Sequence, residues 1–331
     1  MEKYSSFSCT CIGASHQARN LICQDYSFES NKENFVFAAT ADGHGSLQYL
    51  RTEKGSEFAV RAAYECAEAF VEGMEGAEEV LDDEKKRHSL FDQLWKDVVA
   101  RWNELILEDY TQRPFTEEEL DRIPEKFSYY RETYLGGDYA DAYGTTLAFA
   151  VITETYAFCM QIGDGTCVSI TKEGRAEEPV PPDHRCHDNI TTSLCQEEAA
   201  NLGRCAYFAG DDIPAAIFLG TDGIEKSYWD HTQLWDFYKG LALAFVRNGL
   251  DEGFNQLTEF LPELSRMGSG DDVSCAGIYD GEILAECEDE LKIASAAEEE
   301  PITVELKPEM LQDMDLPEAR SDSHEERHIS E

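Results

Sequence analysis

Phe37-Ala38-Ala39-Thr40-Ala41-Asp42-Gly43-His44-Gly45 is an apolar run of buried-strand length that ends on a carboxylate and a glycine turn. Two later runs end the same way. Cys159-Met160-Gln161-Ile162-Gly163 leads into Asp164-Gly165, and Ile217-Phe218-Leu219-Gly220-Thr221 leads into Asp222-Gly223. A fourth acidic site, Asp271-Asp272, stands immediately before the apolar alternation Val273 to Tyr279. One Asp-Gly after a strand is ordinarily a turn signal. Four carboxylate sites at the ends of buried strands are another matter, because strand ends on one edge of a sheet converge even when far apart in sequence.

Converging carboxylates repel one another unless protons or cations fill the gap between them. With no Cys or His repeated beside them the donor set is hard oxygen, so Mg²⁺ or Mn²⁺ is the expected occupant. Two such ions about 4 Å apart generate a hydroxide and clamp the oxygens of a phosphate undergoing in-line displacement. Phosphoester hydrolysis is the chemistry this pattern points to.

Outward from the motif, the chain reads as β-rich at both ends of its globular part, with helices between. Tyr4 to Ala14 reads as a short strand, and Phe35 to Thr40 as a buried one. Glu53 to Glu72 and Leu90 to Tyr110 are helical; in the second, Leu94, Val98, Trp102, Leu105 and Ile106 fall at helical spacing. Thr116 opens another helix, with Glu117, Glu118 and Glu119 in its first turn, where the dipole favours acids. Gly144 begins a meander of strands over 145–153, 156–162 and 165–171. Pro179 to Pro214, which includes His184 and His187, lacks periodicity and reads as a long surface loop. A strand over 215–220, helices over 232–247 and 251–266, and a strand over 273–279 complete the pattern.

From Ala285 the composition changes. Residues 285–331 hold sixteen Asp or Glu against four Lys or Arg, three prolines and no aromatic residue. Such a segment buries too little apolar surface to offset its ordering entropy. The expected organisation is a domain over residues 1–284 and an acidic, disordered tail over 285–331, with Ile283 to Ala297 able to form a short helix.

The net charge of −41, from 27 Lys and Arg against 68 Asp and Glu, excludes the clustered cations that nucleic-acid binding requires. It equally disfavours anionic membrane surfaces; solubility and mutual repulsion explain such acidity more simply than DNA mimicry does. No stretch approaches the roughly 20 uncharged apolar residues of a membrane span. The N-terminus lacks the pattern of a secretory signal, so a cytoplasmic location is expected. Eleven cysteines form no Cys-x-x-Cys set, and Cys159, Cys167 and Cys275 sit in apolar alternations where a reduced thiol acts as a small hydrophobe.

Six short motifs then fall in order. They are Ser15-His16 through Cys23-Gln24-Asp25, Asp42-Gly43-His44-Gly45, Gly144-Thr145-Thr146, Gly163-Asp164-Gly165, Thr221-Asp222-Gly223 and Asp271-Asp272-Val273-Ser274. Together, over residues 7 to 280, they resemble the protein phosphatase 2C, or PPM-type, family, and its bacterial branch most. The resemblance implies an α+β fold of two packed antiparallel sheets flanked by helices, an αββα sandwich. It implies metal-dependent hydrolysis of phosphoserine and phosphothreonine in proteins by a water bridging two Mg²⁺ or Mn²⁺ ions, with a third ion as an addition. Asp42 would bridge the two ions, the Gly43 carbonyl would ligate one, and Asp222 and Asp271 would complete the other. Asp164 matches the ligand of the third, weaker metal, and His44 the proton donor to the leaving alcohol. Implied partners are phosphorylated proteins, with basic flanks favoured by the chain's acidity, and a cognate Ser/Thr kinase.

The departures from the family pattern concern the first motif. Gln24 stands where many members carry a glutamate; a neutral amide is a poorer ligand, which shifts that role toward Asp25. The family's phosphate-gripping arginine falls at Asn20 here, leaving Arg19, one residue away, and His16 as the basic candidates. The alternatives are a phosphatase for another phosphoester, and a non-catalytic phosphoprotein-binding module on the same fold.

Overall fold

The run that carries Phe37 is one of ten strands in the computed structural model, which describes residues 3–187 and 190–292. In chain order these are β1 (Tyr4–Cys11), β2 (Asp25–Asn31), β3 (Val36–Asp42), β4 (Leu147–Ile152), β5 (Tyr156–Ile162), β6 (Thr166–Ile170), β7 (Ala176–Glu177), β8 (Arg204–Ala209), β9 (Ala216–Gly220) and β10 (Val273–Asp280). They form two five-stranded antiparallel sheets, in the orders β1-β10-β9-β6-β7 and β2-β3-β4-β5-β8. This is the α+β sandwich expected from the motifs.

The central strands are apolar throughout because both of their faces are covered. In β3, Val36 and Ala38 point into the interface between the sheets, beside Ala148, Ala150, Ile217, Leu219, Ala276 and Ile278. The alternate residues Phe37, Ala39 and Ala41 face outward, as the two-residue period of a strand demands. Against that outer face pack α2 (Thr52–Met74) and α3 (Glu84–Gln112), following the short α1 (Ala14–Ala18) in sequence. Phe218, Val273 and Cys275 cover the outer face of the other sheet.

The remaining helices are α4 (Glu117–Leu120), α5 (Ser128–Leu135), α6 (Ala199–Leu202), α7 (Asp222–Glu225), α8 (His231–Met267), α9 (Gly281–Glu286) and α10 (Glu288–Leu291). Helix α8 lies on the second sheet. It is broken at Gly249, whose φ of 78° separates the two helical patterns seen in the sequence. No helix among the described residues is long and apolar enough to cross a membrane. All eleven cysteines are free thiols.

Two expectations need correction. The stretch from Pro179 to Pro214 is not a loop throughout: it contains α6 and β8, and β8 pairs with β5 from Tyr156↔Ala209 to Gln161↔Arg204. Ordered structure also continues past residue 284. Cys287 and Leu291, with Leu284, are buried in the core beneath α8. The rest of the expected tail, 293–331, lies outside the described residues.

Candidate active site

Antiparallel pairing delivers the acidic sites to one end of the sandwich. Asp42 ends β3 directly opposite Asp25, which opens β2. Asp164 occupies the turn between β5 and β6, Asp222 follows β9, and Asp271-Asp272 precedes β10. A cavity of about 540 Å³ opens there, lined among others by His16, Gln24, Asp42, Gly43, His44, Asp164, Asp222, Lys226, Asp271 and Asp272. Asp25 is not on its wall; it is buried next to Asp42 on the neighbouring strand.

Local packing explains the turn residues. A Cβ on Gly43 would come within 2.7 Å of the Gln24 and Thr52 carbonyl oxygens, so only glycine brings this backbone so close to the start of α2. The Asp42 carbonyl accepts from the Thr146 amide (2.8 Å) and the Thr145 hydroxyl (2.9 Å), tying the third motif to the second.

The carboxylates divide into satisfied and frustrated groups. Burial pushes the carboxyls of Asp42 and Asp25 well above the usual range, and repulsion from Asp222, Asp271 and each other, or from nearby Asp272, adds to it. Thr221 Oγ1 donates to Asp25 (2.7 Å), which offsets part of that cost. Asp272 is the opposite case. Burial works against its ionisation, but it accepts from His16 Nδ1 (3.0 Å) and the amides of Gln24 and Gly13 (both 2.6 Å), and its pKa falls below normal. Asp164 accepts from Thr191 Oγ1 at 2.8 Å, and burial raises its pKa.

Gln24 commits its amide nitrogen to Thr52 Oγ1 (2.8 Å), leaving its carbonyl oxygen as the one atom suited to a cation. His44 packs edge-on to Tyr49, ring centroids 5.0 Å apart, and burial lowers its pKa to about 4. His16 lines the cavity. Arg19 does not: its guanidinium folds back on α1 to donate to the Ser15 carbonyl (3.1 Å) and hydroxyl (3.2 Å). His187 lines an adjoining cavity with its Nδ1 3.1 Å from the Arg185 carbonyl, whereas His184 lines neither cavity.

The sequence reading placed Asp272 in the fourth acidic pair without giving it a role of its own, and it missed Lys226. Asp272 clasps α1, β2 and β10 together. Lys226 is the only Lys or Arg among the described residues lining the main cavity, and its ammonium is paired with Asp222. The i, i+4 spacing from Asp222 was the available signal.

A four-layer α+β sandwich with strand-end carboxylates around one cavity defines a class of protein built to manage concentrated negative charge. The family model of protein phosphatase 2C matches residues 12–262, and the chain belongs to that family. Among solved structures, a C. elegans sex determining protein is similar at 13% identity, covering 86% of this chain and 67% of its own, with a TM-score of 0.51. The serine/threonine phosphatase Stp1 from Staphylococcus aureus is similar at 16% identity, covering 83% of this chain and 94% of its own, with a TM-score of 0.50. At such identities both show the shared fold. No curated protein sequence matches the chain.

Proposed function

We propose that this chain hydrolyses phosphoserine and phosphothreonine in proteins and depends on two Mg²⁺ or Mn²⁺ ions. The supporting observation is the single cavity shared by Asp42, Asp164, Asp222 and Asp271, with Asp25 next to Asp42 on the neighbouring strand. Among the described residues no three His, Cys, Asp or Glu side chains already form a closed cation-binding group. The donor chemistry nonetheless fits: all-oxygen, hard, and carrying buried carboxyls whose mutual repulsion a divalent ion relieves. Asp42, the Gly43 carbonyl, Asp222 and Asp271 are the proposed ligands. Asp25, opposite Asp42 across the ladder of β2 and β3, adds a further carboxylate beside the ligands, and Gln24 lines the cavity. When bound, such ions lower the pKa of water and polarise the phosphoester.

The protein's own groups then position substrate and move a proton. His16, fixed by Asp272, is the basic group facing the cavity from the N-terminal motif. His44, held by Tyr49, is the proposed proton donor to the leaving alcohol. Burial favours its neutral form, so it must take a proton from solvent before it can give one to the leaving alcohol.

An adjoining cavity of about 330 Å³ shares Asp164, Asp222 and Lys226 and carries Glu225, Asp230 and Trp229 on its wall. Its acids and indole suit Lys or Arg beside a phosphosite. The free cysteines accord with a cytosolic setting, and a cognate Ser/Thr kinase would supply the phosphorylated substrates.

Hydrolysis of a chromogenic aryl phosphate by site variants tests the assignment. Asp42→Ala is expected to lose activity by orders of magnitude, and Asp164→Ala by much less. Full activity in Asp42→Ala removes the two-ion reading. Tight phosphopeptide binding by the wild type without turnover identifies a non-catalytic module instead.

A further inference from the structure

We propose that the Lys226 ammonium takes the place of a third cation, so that this chain binds two divalent ions and supplies the remaining positive charge covalently. The proposal rests on the divalent-cation reading above and adds which charge belongs to the protein.

The geometry comes from α7. Asp222 is its first residue and Lys226 caps its C-terminus, so the lysine projects from one turn further along the same helical face. Its ammonium is paired with Asp222, whose side chain is only 10% exposed. Most i, i+4 pairs lie in water and matter little; here the acid is buried and lines the cavity. Lys226 borders both the main and the adjoining cavity, as do Asp164 and Asp222. Asp164 feels the lysine charge directly, and Asp42 lies within its field.

Charge balance leads to the same assignment. With divalent ions bound and the carboxyls ionised, Asp25, Asp42, Asp164, Asp222 and Asp271 would bring five negative charges, while Asp272 is held by its hydrogen bond with His16. Two divalent ions supply four positive charges, and Lys226 supplies the fifth. A third divalent ion beside Asp164 and Asp222 would meet an ammonium already there, and the two cations would repel.

Counting bound Mn²⁺ in the full chain tests this without reference to turnover. Chelator-stripped protein is titrated with Mn²⁺, with free ion followed by electron paramagnetic resonance and heats by calorimetry. The wild type is expected to bind two ions, and Lys226→Arg likewise two. Lys226→Met, which keeps the aliphatic stem, is expected to bind a third, weaker ion, and adding Asp164→Ala is expected to abolish it. Lys226→Met leaves the buried Asp222 unpaired, so it is expected to melt below the wild type while Lys226→Arg matches it, and ions are counted only on protein that circular dichroism shows to be folded. Three ions on the wild type, or two on a folded Lys226→Met protein, would overturn the proposal while leaving the two-ion centre standing. No bound Mn²⁺ in any variant would overturn the divalent-cation reading and this proposal with it.

Discussion

His44 shows how one side chain connects packing to mechanism. Its ring is held against Tyr49 and kept neutral by burial. General acid catalysis is worth about a hundredfold to ten-thousandfold, and it matters most when the leaving group is a basic alkoxide. His44→Ala is therefore expected to slow phosphoserine peptide cleavage within that range and an activated aryl phosphate far less, with Mn²⁺ binding unchanged. Equal slowing of both substrates would show that His44 positions groups and donates no proton. The acidic residues of the site were legible because each ends or precedes an apolar strand, a pattern that survives without coordinates. Lys226 was not, and Asp272 was visible only as half of an acidic pair, since their importance lies in what they touch: a lysine four residues after an aspartate is common, and only the cavity gives it consequence. Arg19 stands off the cavity wall for a reason equally invisible in the sequence. Asn20 at φ 55° and the hydrogen bonds of Arg19 to Ser15 turn the local backbone and side chain away from the cavity.

At the scale of elements, legibility followed burial. β3, β4, β5, β9 and β10 were readable as apolar runs, each with neighbours on both sides. Three strands were missed, all at edges: β2 and β8 are the two edges of one sheet, β7 is a two-residue edge of the other, and their residues are mostly half-buried or exposed and mixed in polarity. Edge strands need not be apolar on both faces, so composition does not mark them. The link from the His44 turn into α2 is anchored by Arg51, which is buried. Its guanidinium donates to Asp109 Oδ2 (3.0 Å), Glu119 Oε1 (2.8 Å) and the Arg113 carbonyl (2.6 Å), and lies 4.6 Å from the Phe115 ring centroid. Removing one partner of such a network leaves buried charge uncompensated, at a cost of about 3–5 kcal/mol. Arg51→Met is expected to lower stability by about that much in denaturant titrations; a loss under ~1 kcal/mol would contradict the anchoring role. Burial opposes ionisation of Glu119, yet its bonds to Arg51 and Thr116 bring its pKa to about 2. Its contribution is thus full above the unfolded carboxyl pKa of about 4.3 and fades as pH falls toward 2.

For the whole molecule, ordered structure continues past residue 284 and runs to the last described residue, 292. Leu291 and Cys287 are buried against the α8 side of the second sheet. A chain ending at residue 292 is expected to keep the full-length thermal transition and its turnover of a small substrate. A chain ending at residue 284 should be less stable, since deleting a buried leucine alone costs about 2–5 kcal/mol. Equal melting of the two truncations would show that α10 contributes nothing. The central claim concerns the carboxylate cavity at the end of the sandwich, and phosphate release measures it most directly. Purified full-length protein should release inorganic phosphate from a phosphothreonine peptide in millimolar Mn²⁺, stop in excess chelator, and resume when Mn²⁺ is restored. Undiminished release in chelator, or none with Mn²⁺ bound, would contradict it.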